Sequence, residues 1–425
     1  MMPTLPMFRL ALIFTGAALL ACSSDETSPG GTGGAAQGAG GSGGQNTGGA
    51  GQGTGGSGGQ STGGAGQGTG GASGGSGGQG AGGTSSGGQG AGGASTGGQG
   101  AGGTSTGGTS SGGAGPGEPT ACGIPAAGAP GVAPPSGAAD GLTVLDWAGF
   151  AAAVSYTFDD ANSTQIQNYD ALQALGVGMT FYLQTGKSEA ADPVWAEAVA
   201  DGHELGNHTQ SHGQTASAGD IDAATEFILD RFGVTAYTMA APYGDASYVS
   251  FAESRFLINR GVNGGRITPG GNSNPFNLPC HIPAEGASAD AMNSVIDATR
   301  TAGAWQIVLV HGFTGGSDGA YQPVALDAFL SHVEHAKSFG DLWIDTVVDV
   351  GAYWIGQKLV DAAEPASAEG GTTWSWTLPD HFPPGKCLRV TTNGGTLTQS
   401  GAPVAWNDHG YYEISLDAGN VTLAP

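Results

Sequence analysis

Basic residues are scarce in this 425-residue chain: 11 Lys and Arg stand against 35 Asp and Glu, for a formal net charge of -24. No run of Lys or Arg gathers anywhere, which excludes counterion-driven binding of nucleic acid or other polyanions and leaves neutral or cationic partners. Cysteine is nearly as rare, with four residues whose spacing matches no zinc site. With Cys22 set aside, Cys122, Cys280 and Cys387 allow at most one disulfide, and three pairings are open. The apolar run Leu10 to Leu20 falls short of the roughly 20 residues that a membrane-spanning helix needs.

Between Gly30 and Gly117 charge is absent and no side chain exceeds Gln, while 46 of the chain's 84 glycines collect there. Such a stretch has nothing to bury against a backbone entropy cost of roughly 1–2 kcal/mol per residue. Residues 22–120 therefore read as a disordered tether, about 90 residues of which reach roughly 50–55 Å as a random coil; a spacer of unselected length fits equally. Residues 1–21, with one positive charge at Arg9 and an apolar core, read as an export signal. Leu19-Leu20-Ala21-Cys22 resembles the lipobox of bacterial lipoproteins, in which Cys22 becomes an acylated first residue; a plain secretory signal is the other reading. Acyl chains contribute about 0.8 kcal/mol per buried CH2. The expected location is outside the cytoplasm, lipid-anchored to the envelope, at the outer membrane or cell surface of a bacterium.

The remaining 300 or so residues are enough for one large domain and a small one. From Ala151 short β-rich runs alternate with helical periods. Strands are expected at Ala153–Phe158, Met179–Leu183, His203–Gly206, Ala236–Ala240, Phe256–Ile258, Gln306–Val310 and Leu342–Ile344. Helices are expected at Ser163–Leu175, after Asp192-Pro193, and at Asp220–Phe232, Ser288–Arg300 and Pro323–His335. Six or seven β/α units over 143–362 suggest a barrel. Residues 366–425 alternate instead like a small all-β module. Trp374, Trp376, Trp406, Tyr411 and Tyr412 stack sugar there or form the module's own core; the second use is the commoner one.

Four separate strand ends carry chemistry. Thr157-Phe158-Asp159-Asp160 closes the first with adjacent carboxylates, which point opposite ways in an extended chain. His208 and His212 follow the third, and share a face if the chain turns helical there. Two imidazoles with the Asp160 carboxylate make a donor set for zinc or a similar divalent ion. Pro242-Tyr243-Gly244 ends the fourth strand, and His311 ends the run Ile307–Val310. In β/α barrels such ends converge on one mouth.

The order and spacing of Thr157-Phe158-Asp159-Asp160, His208-Thr209-Gln210-Ser211-His212, Pro242-Tyr243-Gly244 and Leu309-Val310-His311 resemble the polysaccharide deacetylases of the NodB type, carbohydrate esterase family 4, over about 151–355. The resemblance implies an α/β fold, a distorted (β/α)7 barrel, and a deacetylase acting on N-acetylated or O-acetylated polysaccharide. It implies one divalent metal ion, zinc first, on Asp160, His208 and His212, with Asp159 as base for a metal-activated water. His311 would be the acid, and the Tyr243 N–H would help to hold the oxyanion. The partners then are an acetylated polysaccharide and the membrane, with no nucleic acid, and the chain is expected to be a monomer.

The match has gaps. Ala240 stands where much of the family has an arginine that bonds the catalytic aspartate; Arg260 and Arg266 are the candidate substitutes. No Asp-x-x-Trp element precedes the His311 strand, so the group orienting His311 is unassigned. Two alternatives stay open: a tethered, non-catalytic carbohydrate-binding protein on a degenerate barrel, and an acetylxylan-type O-acetyl esterase.

Overall fold

A computed structural model describes residues 122–425. The expected signal segment 1–21, Cys22 and the 22–120 tether lie outside the described residues. Chain order opens with β1 (Thr143–Val144), whose partner comes late in the sequence. The α/β layer then runs β2 (Ala152–Asp159), α1 (Ser163–Gln167), α2 (Tyr169–Gln173), β3 (Met179–Leu183), α3 (Val194–Ala200), β4 (Glu204–Asn207), α4 (Ala218–Phe232), β5 (Thr238–Ala240), α5 (Val249–Ala252), β6 (Ile258–Arg260), α6 (Ala289–Ala302), β7 (Trp305–Val310), α7 (Leu326–Ser338), β8 (Leu342–Ile344) and α8 (Val347–Asp361).

Strand β2 sits at the centre because it is apolar or β-branched on both faces, and every one of its residues is buried. The parallel order is β6-β5-β4-β3-β2-β7, with β8 also on β2. Strand β7 takes one edge of β2 over Ala153–Phe158; on the other, β8 pairs with Ala152–Val154 and β3 with Tyr156–Asp159. Between β6 and β7 an irregular segment stands in for a strand. Leu278 bridges Arg260 and His281 bridges Val308, both parallel, and the His281 N–H donates to Ile307 O at 2.8 Å. The sheet is thus curled into the distorted (β/α) barrel expected from the pattern. Two expectations shift: the helix 163–175 breaks at Asn168, whose Nδ2 donates to Thr164 O (2.7 Å), and the strand placed at 256–258 lies two residues later. That displacement puts Arg260 at a strand end.

With one short 3-10 turn at Leu416–Ala418, residues 366–425 form strands in two antiparallel sheets. They are β9 (Ala366–Ala368), β10 (Gly371–Ser375), β11 (Cys387–Thr391), β12 (Thr396–Gln399), β13 (Ala402–Pro403), β14 (Trp406–Asn407), β15 (Tyr411–Ser415) and β16 (Asn420–Ala424). One sheet has the order β1-β11-β15-β14, the other β13-β12-β16-β10-β9. Thr143 and Val144 pair with Thr391 and Val390, and Cys122 is disulfide-bonded to Cys387, so the lead-in to the barrel is part of this layer; Cys280 is free and buried.

Helix α8 joins the two layers. Thr346 Oγ1 caps it by accepting from Asp349 N (3.1 Å). A Cβ on Gly351 would stand 2.1 Å from Ile258 Cδ1, and one on Gly356 2.5 Å from Leu416 Cδ1, so glycine is what lets the helix press on both. One apolar cluster accordingly runs from Trp147, Trp305 and Trp354 to Leu388, Ile414 and Leu423. Trp376, Tyr411 and Tyr412 are buried, and Trp374 and Trp406 pack against the same cluster. These rings build the core rather than an open sugar face.

Candidate metal centre and active site

The carboxylate pair is split by the backbone. Asp159 is the last residue of β2 and 2% exposed, whereas Asp160 (φ 75°) and Ala161 (φ 52°) turn left-handed immediately after it. Non-glycine residues in that region store strain, and they collect here at a strand end. The turn is clamped from beneath. Gln165 Nε2 donates to Asp159 O (2.6 Å) and His311 O (2.8 Å), and Asn162 Nδ2 also donates to His311 O (2.8 Å). Two amide side chains therefore tie the ends of β2 and β7 together. Their sequence signal was slight, two polar residues in what reads as an ordinary helix start.

The helical turn that would put His208 and His212 on one face does not form, yet the two still meet. They lie in a loop with Thr209 (φ 60°) and His212 (φ 55°) left-handed, because local side-chain bonds outcompete helical ones. Asn207 Oδ1 accepts from Thr209 N (2.8 Å), Thr209 Oγ1 from His212 N (3.0 Å), and Asp220 Oδ1 from Ser211 N (2.9 Å). The folded loop brings the two imidazole centroids to 4.8 Å. His208 Nδ1 lies 2.8 Å from Ala240 O, so that nitrogen carries the proton and Nε2 faces the site.

Asp160 Oδ1 lies 3.3 Å from His208 Nε2 and 3.5 Å from His212 Nε2. Donor atoms on a tetrahedral site with bonds of about 2.0–2.1 Å stand roughly 3.3–3.4 Å apart. The three residues fit a divalent ion on this spacing, with all donor atoms within 4.8 Å of one another. Burial alone would raise Asp160, yet the hydrogen bond and charge of His208, with His311 and His212, hold it well below the usual carboxylate range. Burial and then His208 push His212 down. Burial also opposes charge on His208, but Asp159 and Asp160 outweigh it and lift the ring above its ordinary value. A cation held at Nε2 would replace a second proton there and leave the one on Nδ1 in place.

Arg260, fully buried, donates through Nη2 to Asp159 Oδ2 in a short bond, and Nη1 donates to Gly261 O (3.0 Å). The cation absent at Ala240 thus reaches Asp159 from the next strand. Arg266 instead bonds Thr299 Oγ1 (2.7 Å) on α6. Asp159 Oδ1 and His311 Nδ1 are buried without a hydrogen-bond partner among the described residues, and burial pushes His311 down. Tyr243 (φ 58°) stands 58% exposed with its ring 4.6 Å from that of His212. Gly244 (φ 65°) allows the turn, since a Cβ there would meet Val262 Cγ2 at 2.3 Å. A cleft of about 430 Å³ is lined by Asp159, Asp160, His208, His212, Tyr243, His311 and Tyr321. A depression of about 500 Å³ beside Phe276 and Trp354 has Glu253 and Asp380 in its lining but no histidine. Tyr321 is a lining residue that the sequence reading missed.

A family model described as polysaccharide deacetylase matches residues 151–257, which include both carboxylates, both loop histidines and Pro242-Tyr243-Gly244. A peptidoglycan-N-acetylglucosamine deacetylase of Bacillus cereus is 28% identical over 184 residues, 37% of this chain and 67% of that protein. Among solved structures, a putative polysaccharide deacetylase from Mycobacterium smegmatis aligns over 59% of this chain and 100% of its own, with TM-score 0.40 and 16% identity. A family 4 acetyl xylan esterase from Clostridium thermocellum, in complex with a cobalt ion, aligns over 46% and 89%, with TM-score 0.34 and 20% identity.

Proposed function

We propose that this chain, whose residues 151–257 match a family model described as polysaccharide deacetylase, is a divalent-metal hydrolase that removes acetyl groups from an N- or O-acetylated polysaccharide. The observation that carries this reading is the single cleft in which Asp160, His208 and His212 stand at ligand spacing with Asp159 and His311 lining it. Zinc or a similar ion held by the three donors would supply an acidified water and polarise the acyl oxygen. Asp159, paired with Arg260, takes the proton of the attacking water. The Tyr243 N–H donates to the developing oxyanion, an effect worth roughly 100- to 1000-fold. His311 returns a proton to the leaving nitrogen or oxygen for a further factor of about 100 to 10,000.

One observation favours an O-acetyl ester over an amide. His311 Nδ1 has no partner among the described residues to orient the ring, and an alkoxide leaves with less help from an acid than an amine does. Export and acylation at Cys22 complete the reading: a monomeric enzyme held at the envelope by a long tether beside its polymer.

Acetate release from acetylated xylan, chitin and peptidoglycan fragments by the full-length chain tests it. Activity is expected to vanish with chelator, to return with zinc, and to fall at least 100-fold in Asp159→Asn and His311→Ala. Asp160→Asn and His212→Ala should each lose bound metal, read by elemental analysis. Chelator-resistant release, or full activity in Asp159→Asn, would refute the mechanism. Mass spectrometry of the membrane fraction reports on Cys22.

A further inference from the structure

The cleft has a wall that the chemistry above leaves without a task. Tyr321 is 58% exposed, matched among the large apolar side chains of the described residues only by Tyr243. Its ring stands nearly perpendicular to that of His311, at 86° with centroids 5.3 Å apart. The loop that carries it, between β7 and α7, is fastened down. Phe313 N donates to Thr164 Oγ1 (3.1 Å), Asp318 Oδ2 accepts from Thr164 N (2.8 Å), and Thr314 N donates to Val324 O (2.9 Å). A Cβ on Gly316 would fall 2.1 Å from Thr164 Cγ2, so the loop lies directly on α1.

An aromatic ring left in water on a loop with this many anchors is preorganised for something flat and partly apolar. The pyranose has such a surface in its CH face. We infer that Tyr321 holds a sugar ring of the substrate polymer beside His311 by stacking on it, which makes it a specificity-determining residue outside the four motifs that carry the family resemblance. This rests on the reading that a polysaccharide enters the cleft. Tyr321 sets which acetyl group comes under the site and takes no part in proton transfer.

The test compares full-length, zinc-loaded wild type with Tyr321→Ala and Tyr321→Phe. Acetate release is followed on acetylated xylo- and chito-oligosaccharides and on 4-nitrophenyl acetate, and calorimetry gives the Kd of the deacetylated oligosaccharides. In Tyr321→Ala, KM and Kd for the oligosaccharide are expected to rise about tenfold, the loss of one stack of about 1.4 kcal/mol. The small ester, which presents no sugar face, should lose clearly less than the oligosaccharide, and Tyr321→Phe should behave as wild type. Unchanged KM and Kd in Tyr321→Ala, or equal losses on both substrates, would overturn the assignment. If wild type cleaves neither substrate, the deacetylase reading falls, and calorimetry alone decides Tyr321: a tenfold weaker complex in the variant supports it, and no binding by wild type overturns it.

Discussion

A buried guanidinium makes Asp159 what it is. Arg260 and Asp159 are 0% and 3% exposed in their side chains, so neither charge can fall back on water. Removing one partner of such a pair costs about 3–5 kcal/mol because the other is left buried and alone, whereas removing both costs much less. Arg260→Met is therefore expected to destabilise the fold by about that much, and Asp159→Asn by a smaller amount since amide bonding partly survives. The double variant should lose well under the sum of the two single losses. Urea melts of the four proteins measure the coupling, and additive losses would show the pair contributes nothing specific. Arg300 and Asp341, 40% and 39% exposed, form the contrasting case: their cycle should give under about 1 kcal/mol.

Among the elements, β4 shows what a sequence discloses and what it hides. Its strand was legible from its place in the alternation of β and helical segments and the candidate ligands just beyond it from their residue types, as were the ends of β2, β5 and β7. The geometry of the histidine loop was not, because it depends on Asn207 and Thr209 bonding backbone in place of a helical turn. Nor was the 278–281 segment that closes the sheet, whose bonds go to residues about 20 and 30 positions away. The partner of Asp159 depended on a two-residue shift of β6. At the other end of β4, Glu204 Oε2 accepts from Thr180 Oγ1 on β3 (2.8 Å) and Val348 N on α8 (2.9 Å), and Oε1 from Thr238 Oγ1 on β5 (2.5 Å). Burial outweighs these donors and pushes its carboxyl up to about 7. A carboxyl raised from its ordinary value binds its proton more tightly in the folded state. Its contribution is thus fully present below about pH 4.5 and is lost as pH climbs to about 7, a fall of about 3 kcal/mol. Burial and the charge of Asp349 raise Asp345 in the same direction. Glu204→Gln should flatten this limb of the stability–pH curve and gain stability at pH 8 relative to wild type; an unchanged slope between pH 4.5 and 7 would contradict the assignment.

At the scale of the whole molecule, the two layers divide the work. Every residue lining the candidate active-site cleft comes from the α/β layer between Asp159 and Tyr321. Segments 122–144 and 366–425 meet in a layer of their own, which shares a core with the barrel through α8. Arg389 locks that meeting, fully buried, donating to Ala148 O and Ile124 O (both 3.0 Å) with its guanidinium 4.1 Å from the Tyr411 ring centre. The Cys122–Cys387 disulfide closes a loop with a sequence separation of 265, so most of the folded chain lies inside it. Any pull arriving through the residues before Cys122 therefore reaches the β layer first and the cleft last. A bridge over so long a loop is worth about 2–5 kcal/mol, mainly by restricting the unfolded chain. Cys122→Ser/Cys387→Ser is accordingly expected to melt roughly 4–20 °C lower, at about 2–4 °C per kcal/mol. Its kcat/KM on a small acetyl ester at 25 °C should remain within about twofold, since every cleft residue lies in the α/β layer and neither cysteine of the bridge does. Equal melting temperatures would mean the two layers hold without it, and a matching loss of kcat/KM would mean the cleft depends on the β layer after all.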